Sequence, residues 1–209
     1  WGFIVLCLIF EFTTNIRTLE LTHFFRTVSE NKRQSRNRVF KGYAQKGKST
    51  MGWYYGFKLH LLCNERGELL NFALTRANVD DRNPKVFNDL TKDLFGKLYA
   101  DKGYISQSLF ASLFDRGVHI VTGIRTNMKN RLMDVHDKIM LRKRSIIETI
   151  NDMLKNVAQI VHTRHRSISN FIVNLLAGIA AYAFYDTKPS INMEFEREEK
   201  QGVKQLTLF

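Results

Sequence analysis

The chain has 209 residues, a formal net charge of +12 and a hydrophobic content of 44%. This length suits one domain with appendages, and the hydrophobic content excludes a disordered chain. The two cysteines, Cys7 and Cys63, lie far apart, which argues against a disulfide framework or a structural zinc site. The positive charge favours a polyanionic partner, nucleic acid before an anionic membrane, although a basic protein with a solvated surface stays open.

The N-terminal stretch Trp1–Phe12 is almost uniformly apolar. It is too short to span a bilayer as a helix and follows no basic residues, so we expect a buried strand or an amphipathic segment. Because the first residue is Trp rather than Met, we interpret the chain as a fragment. Thr13–Glu30 has a mixed pattern that favours no single element.

A basic segment, Asn31–Asn64, combines many cations with aromatic residues and contains no acid. Its first part is punctuated by glycines, which indicates a loop. Cations interleaved with aromatic rings suit phosphate neutralisation and base stacking, so we predict that Lys41, Lys46 and Lys48 contact DNA. A solvated basic loop that leads into an ordinary strand is the alternative.

The remaining elements follow from apolar periodicity and turn residues. They are a β-hairpin of Gly52–Cys63 and Glu68–Thr75, a helix from Asn83-Pro84 to Gly96, a strand Lys97–Ala100, a helix Ser106–Arg116, a strand Val118–Ile124, and helices Arg142–Val161 and Ile168–Tyr185. We expect Phe95, Phe110, Phe114 and Val157 on the buried faces of their helices. A hairpin followed by alternating helices and strands predicts an α/β fold with a mixed sheet covered on both faces.

The helix Ile168–Tyr185 is apolar nearly all round but contains Asn170 and Asn174. A buried core helix is therefore favoured over a membrane span. The competing hypothesis is a basic protein that associates with a membrane through this helix.

Asp101 directly follows the apolar strand and lies two residues before Gly103. In α/β sheets, chemistry gathers at the carboxyl ends of strands, so Asp101 is a candidate catalytic carboxylate. The simpler alternative is that it begins a turn.

Three charged residues, Arg144, Glu148 and Lys155, lie opposite the apolar stripe of Arg142–Val161, given about 100° per residue. Considered alone, this pattern favours ordinary surface ion pairing along a helix. Together with Asp101, Glu148 offers a pair of Mg²⁺ ligands. A pair of such ions would activate an attacking oxygen and stabilise a leaving one.

Other polar residues carry weaker signals. Asp80 and Asp81 follow the hairpin and precede Pro84, where turn and cap roles are ordinary. The basic linker around Arg164 and Arg166 suits phosphate contact or a solvated surface about equally.

Two motifs make a resemblance specific. Ala100-Asp101-Lys102-Gly103-Tyr104 resembles the second-Asp motif of insertion-sequence transposases of the DDE class. Arg144-x3-Glu148-x6-Lys155 resembles that class's Y-x2-R-x3-E-x6-K signature, with Leu141 in place of the Tyr. The resemblance extends over most of the chain and is closest to the insertion sequence 982 family.

This resemblance implies a ribonuclease-H-like catalytic domain at residues 28–187, after an atypical segment at 1–27 and before a charged tail at 188–209. It implies Mg²⁺-dependent, or Mn²⁺-dependent, cleavage at transposon ends and strand transfer. Asp101 and Glu148 would be catalytic metal ligands, and the DNA-contacting residues would be Lys102, Tyr104, Arg144, Lys155, Lys41, Lys46, Lys48, Arg164 and Arg166. It further implies double-stranded DNA as the partner, no membrane association, a homo-oligomer on DNA and a cytoplasmic location on a bacterial nucleoid.

The family's first catalytic Asp has no counterpart, because no Asp precedes Asp80. Where the family has an Asp-Ser motif, this chain reads Leu21–Thr27 as LTHFFRT. One hypothesis is a frameshift or truncation upstream of Val28, which predicts an inactive enzyme. The other is substitution by Glu20 or Glu30. A non-enzymatic DNA-binding protein on a degenerate nuclease fold is the alternative function.

Overall fold

The computed structural model describes residues 18–49, 52–92, 94–101, 106–123, 133–143, 145–161 and 165–191, with side chains from residue 34 onward. The strands are β1 (Thr18–Glu30), β2 (Gln45–Ser49), β3 (Gly52–Asn64), β4 (Leu69–Arg76), β5 (Gly96–Ala100) and β6 (Val118–Thr122). The α-helices are α1 (Pro84–Leu90), α2 (Gln107–Phe114), α3 (Val135–Arg142), α4 (Ser145–Asp152) and α5 (Ile168–Ala183). A 3₁₀ helix at Asn31–Arg36 and a π-helical turn at Met153–Val157 complete the described elements.

All the described strands belong to one mixed sheet with β3 near its centre. β3 pairs antiparallel with β1 on one side, and with β2 and β4 at different ends of its other side. On its other side, β1 pairs with β5, and β5 pairs with β6. These three strands run parallel to one another. The sheet therefore combines an antiparallel half, built from hairpins, with a parallel half, built from helical crossovers.

Different helices cover the two faces of the sheet. Because side chains along a strand alternate between the faces, each strand contributes apolar residues to both sides. On one face, Leu62, Leu98 and Ala100 pack with residues of α1 and α2. On the other face, Leu59 and Leu61 pack with residues of α4 and α5. The predicted mixed sheet covered on both faces is confirmed. No helix among the described residues is long and apolar enough to cross a bilayer.

The predicted hairpin is confirmed, and its turn has a local explanation. The Asn64 side chain accepts hydrogen bonds from the backbone N–H groups of Arg66 and Glu68, at 3.0 Å each. Gly67 adopts a φ of 72°, which favours glycine. The start of α1 is confirmed as well, because the Asn83 carboxamide accepts from the Lys85 N–H at 3.0 Å and Pro84 takes the first turn.

The helix expected to run to Gly96 ends earlier, at Leu90. The Thr91 hydroxyl donates to the Phe87 carbonyl within the last turn, and the Arg116 guanidinium donates to the Thr91 and Lys92 carbonyls just beyond it, so a local and a tertiary contact satisfy this end of the helix. The expectation that Phe95 is buried is wrong, since it is 64% exposed.

The second predicted helix is shorter than Ser106–Arg116, and its buried face is narrower than expected. Leu109 and Leu113 are buried, whereas Phe110 and Phe114 are 42% and 50% exposed. Only one stripe of this short helix reaches the sheet. The two phenylalanines stack on each other at 6.1 Å between centroids instead.

The helix predicted over Arg142–Val161 is present over a shorter range than expected, and its last turn is not α-helical. α3 ends at Arg142, α4 starts at Ser145, and a π-helical turn follows at Met153–Val157. The π turn changes the residue spacing, which explains why Val157 is 61% exposed although the α-helical period predicts it inside. Beyond that turn, Gln159 has a φ of 49°, which ends the helix.

Several expectations concern segments outside the described residues. These are the apolar N-terminal stretch Trp1–Phe12 and most of the charged tail. The proposed domain boundaries at residues 27 and 187 stay predictions.

Candidate functional site

Asp101 lies at the carboxyl end of a buried parallel strand, as the sequence predicts. Leu98, Tyr99 and Ala100 of β5 are completely buried, whereas Asp101 is exposed. The strand therefore holds the backbone in place while the carboxylate of the following residue reaches solvent.

The pairing of β1 with β5 identifies the backbone position next to Asp101. Thr18 lies beside Lys97 and Glu20 beside Tyr99. Continuing this parallel register by two residues places position 22 beside Asp101, about 4.8 Å away across the strands. Position 22 is also opposite Leu61 of β3, whose side chain packs on the face covered by α4 and α5.

The same register separates the two glutamates considered as substitutes for the missing Asp. Glu30 pairs with Tyr54 at the far end of β3, eight residues along β1 from position 22 and about 26 Å away. Glu20 is two residues from position 22, about 7 Å along the strand. Of the two, only the backbone of Glu20 lies near Asp101.

Glu148 lies in the first turn of α4 and is exposed. Ile146, Ile147 and Ile150 of the same helix are buried in the cluster that contains Leu59 and Leu61. α4 is thereby fixed on the side of the sheet to which position 22 belongs. Asp101, position 22 and Glu148 thus belong to three elements, of which β1 and β5 are paired and α4 packs on the β3 face opposite position 22.

An ion-pair cluster lies beneath Asp101, at the contact between β5 and α3. The Asp137 carboxylate accepts hydrogen bonds from the Lys97 ammonium at 2.7 Å and from the Tyr99 hydroxyl at 2.6 Å. Burial, the largest effect, raises the pKa of Asp137, but these two donors outweigh it and the net pKa is lowered. The cluster ties α3, which precedes the Glu148 helix, to the strand that ends at Asp101.

Sequence reasoning missed Asp137. Its partners, Lys97 and Tyr99, lie 40 and 38 residues away, so no local pattern predicts the contact. The alternation of Lys97, Tyr99 and Asp101 along β5 was the available signal, because it assigns all three to one side of the strand.

The acidic pair after the hairpin has structural partners, in line with its expected role. Asp81 accepts from the buried Lys58 ammonium at 2.8 Å, and Asp80 forms a two-point pair with Arg82. The hydrogen bonds from Arg82 lower the pKa of Asp80 to about 2. Both carboxylates are therefore engaged in shaping the loop before α1.

Carboxylate oxygens are the ligands that Mg²⁺ prefers, so Asp101 and Glu148 have the right donor chemistry and are open to solvent. Within the described ranges, no group of three or more His, Cys, Asp or Glu residues is close enough to hold a metal ion. The structure thus offers two suitable carboxylates but no complete three-residue set.

The predicted DNA-contacting residues divide into two groups. Lys41, Lys46, Lys48, Lys155 and Arg166 are exposed. Lys102, Tyr104, Arg144 and Arg164 lie outside the described residues. Lys155 falls in the π-helical turn, so its position relative to Glu148 departs from the α-helical spacing used to predict it.

Comparison with known proteins gives two positive findings. The profile of a family described as "Transposase DDE domain" matches residues 12–168, about three quarters of the chain. A solved structure, described as the piggyBac transposase synaptic complex with hairpin DNA, superimposes with a TM-score of 0.52 at 11% identity. That match covers 79% of this chain and 45% of the piggyBac chain, so this chain corresponds to less than half of that protein. No curated protein matches the sequence.

The Asp137 cluster gives a testable stability prediction. Replacing Asp137 by Asn removes a charge-assisted acceptor, so we expect a loss of about 1–3 kcal/mol in unfolding free energy at pH 7. The native pKa is lowered, so the stabilisation is present above the unfolded pKa and is lost as pH falls through the native pKa. Urea unfolding should therefore show the difference at pH 7 and a smaller difference below about pH 4.

Asp134→Asn is the matched control, because Asp134 is exposed and its side chain caps nothing. It should leave the unfolding free energy nearly unchanged. An equal loss for Asp137→Asn at every pH, or no loss at all, would contradict the assigned ion-pair role.

Proposed function

Because the chain belongs to the family of transposase DDE domains, we propose that it is the catalytic domain of a DNA transposase from an insertion sequence of the 982 family. Two observations support this proposal: the continued register of β1 and β5 puts position 22 beside Asp101, and α4, which carries Glu148, packs on the face of the sheet that holds Leu61, opposite position 22. A carboxylate at a strand end, a neighbouring position on the adjacent parallel strand and a carboxylate on a covering helix together suit phosphodiester chemistry.

The strand order supports a ribonuclease-H-like fold. The sheet contains three parallel strands, β1, β5 and β6. Next to β1 lies the antiparallel strand β3, which pairs in turn with β4, and helices cover both faces of the sheet. This mixed arrangement is the one that the sequence resemblance implies. In this sheet, β1 lies between the antiparallel strand β3 and the parallel strand β5.

The proposed reaction is cleavage of a DNA strand at the transposon end, followed by attack of the freed 3′-hydroxyl on target DNA. Asp101 and Glu148 would hold Mg²⁺ or Mn²⁺ through their exposed carboxylates. A pair of such ions supplies activation of the attacking oxygen and stabilisation of the leaving one. The exposed Lys155 and Arg166 would contact backbone phosphates near this site.

A domain of this kind acts on double-stranded DNA, and the piggyBac structure to which this fold is similar contains hairpin DNA. The net charge of +12 favours the same partner. We propose that the protein forms a homo-oligomer on DNA and acts at the nucleoid in a bacterial cytoplasm.

The present sequence has Thr at position 22, the place where the sheet brings a residue next to Asp101. We propose that position 22 is where the first catalytic carboxylate belongs, and that its replacement leaves the chain able to bind DNA but poor at cleaving it. Glu20 is the competing candidate for the first carboxylate, because its backbone lies nearer to Asp101 than that of Glu30.

The Thr22→Asp variant tests this assignment. It should raise nicking of supercoiled plasmid DNA in Mn²⁺ or Mg²⁺ by about a hundredfold, because a third metal ligand is worth several kcal/mol of transition-state stabilisation. Adding Glu148→Gln should return the rate to that of the unaltered chain.

Thr22→Asn is the steric control, because the Asn side chain has as many heavy atoms as the Asp side chain but carries no carboxylate. It should nick no faster than the unaltered chain. Activity in the unaltered chain that is abolished by Glu20→Gln would instead assign the role to Glu20.

The frameshift hypothesis makes a sharper prediction once the register is known. Another reading frame of the DNA that encodes Leu21–Thr27 should encode Asp at position 22 followed by Ser. Translating this DNA in the two other frames checks it directly. Absence of the Asp-Ser pair in both frames would contradict a frameshift.

A second candidate function is DNA binding without catalysis. The sequence feature in its favour is that no Asp precedes Asp80, so the first catalytic Asp of the family has no counterpart. The two hypotheses differ in the Thr22→Asp experiment, because a degenerate fold that only binds DNA gains no nicking activity from a single carboxylate.

A further inference from the structure

A basic pocket of about 630 Å³ lies away from the candidate catalytic site, where the segment before β2 meets the start of β3. Three cations line it, namely Arg38, Lys41 and Lys46, together with Gln34, Asn37 and Tyr55. None of its described lining residues is acidic. Among the ion pairs of the described residues, none involves these three cations.

The pocket is built on a fixed floor rather than on a loose loop. Phe40 is buried, and its ring packs edge-on against Phe57 at 6.1 Å and Phe171 of α5 at 5.3 Å. The Tyr55 hydroxyl donates to the Phe40 carbonyl at 2.9 Å, and the Asn37 carboxamide accepts from the Phe40 N–H at 3.2 Å. These contacts hold the segment that presents Arg38 and Lys41 at the pocket.

Strand pairing places Lys46 at the same pocket. Lys46 of β2 lies opposite Tyr55 of β3, and Lys48 lies opposite Trp53. Arg38, Lys41 and Lys46 are all exposed, so their charges are available to a large ligand as well as to a small anion. A cluster of exposed cations in a concave, pre-formed site is suited to backbone phosphates.

The pocket and the candidate catalytic site share one side of the sheet. Tyr55 and Phe57 belong to the cluster with Phe171 of α5, and Leu61, opposite position 22, packs with α5 as well. Tyr55 and Leu61 are six residues apart on β3, which corresponds to about 20 Å. A DNA duplex rises about 3.4 Å per base pair, so this spacing spans about six base pairs.

We propose that this pocket is a second DNA site, which binds backbone phosphates of the same duplex about six base pairs from the phosphate at Asp101. This inference rests on the proposed function, since it assumes that the duplex reaches Asp101. The pocket would position the duplex and contribute affinity without reading its sequence, because phosphate contacts carry no base information.

Binding of the full chain to a duplex of about 30 base pairs, measured by fluorescence anisotropy between about 50 and 200 mM salt, tests the proposal. The pocket variant is Lys41→Gln with Lys46→Gln. The matched control is Arg66→Gln with Lys92→Gln, which removes the same charge from exposed residues that do not line the pocket. Thermal unfolding of both variants checks that the fold is retained.

We expect the pocket variant to bind at least about tenfold more weakly at the lower salt concentration and to lower the salt slope by about 2, since each lost phosphate contact lowers it by about 1. The control should change neither quantity by a comparable amount. If the pocket variant unfolds, Arg38→Gln alone should lower the slope by about 1.

Three results would overturn the proposal. Equal losses in the pocket variant and the control would show a general charge effect and no second site. Unchanged binding in the pocket variant would show that the pocket does not bind DNA. The proposed function would be unaffected, because the chain would still bind DNA elsewhere. If the unaltered chain binds no duplex even at low salt, the proposed function fails together with the pocket.

Discussion

The pairing of β1 with β3 is the constraint on which the rest of this structure depends. β3 is bonded to β1 along most of its length and carries β2 and β4 on its other side. Its side chains are buried from Tyr54 to Asn64, so it is covered on both faces. Because β1 also pairs with β5, the register between β1 and β5 fixes which residue of β1 lies next to Asp101. The placement of position 22 beside Asp101 therefore follows from backbone pairing.

Much of the sheet was predictable because its strands are short apolar runs between clear turn signals. The β3–β4 hairpin and the strand before Asp101 belong to this class. β1 was not predictable, because its sequence mixes polar and apolar residues without a regular period. Its strand conformation comes from tertiary pairing with β3 and β5, which overrides weak local preference.

The incorrect predictions for the helices have a common physical origin. Apolar periodicity shows which residues share a face, but it does not show how much of that face meets the sheet. Phe110 and Phe114 lie beside Leu109 and Leu113 on their helix, yet only the leucines are buried. Likewise the period over Arg142–Val161 continues through a break after α3 and through a π turn, both of which depend on packing.

The candidate site shows the same division between local and tertiary information. Asp101 and Glu148 were identified from motifs, and the structure places Asp101 at the end of β5 and Glu148 in the first turn of α4. The identity of the third position was out of reach from sequence, because it depends on the register between β1 and β5. Asp137 was missed for a similar reason, since its lysine and tyrosine partners lie far away along the chain.

The central claim is that Asp101, Glu148 and position 22 surround one metal site. Crystals of the Thr22→Asp variant soaked in Mn²⁺, with anomalous scattering data, test it most directly. The claim predicts an anomalous peak with carboxylate ligands from both Asp101 and Glu148, and loss of that peak when Glu148 is changed to Gln. A peak held by Asp80 and Asp81 instead, or separate ions on Asp101 and Glu148 with no shared ligand, would contradict it.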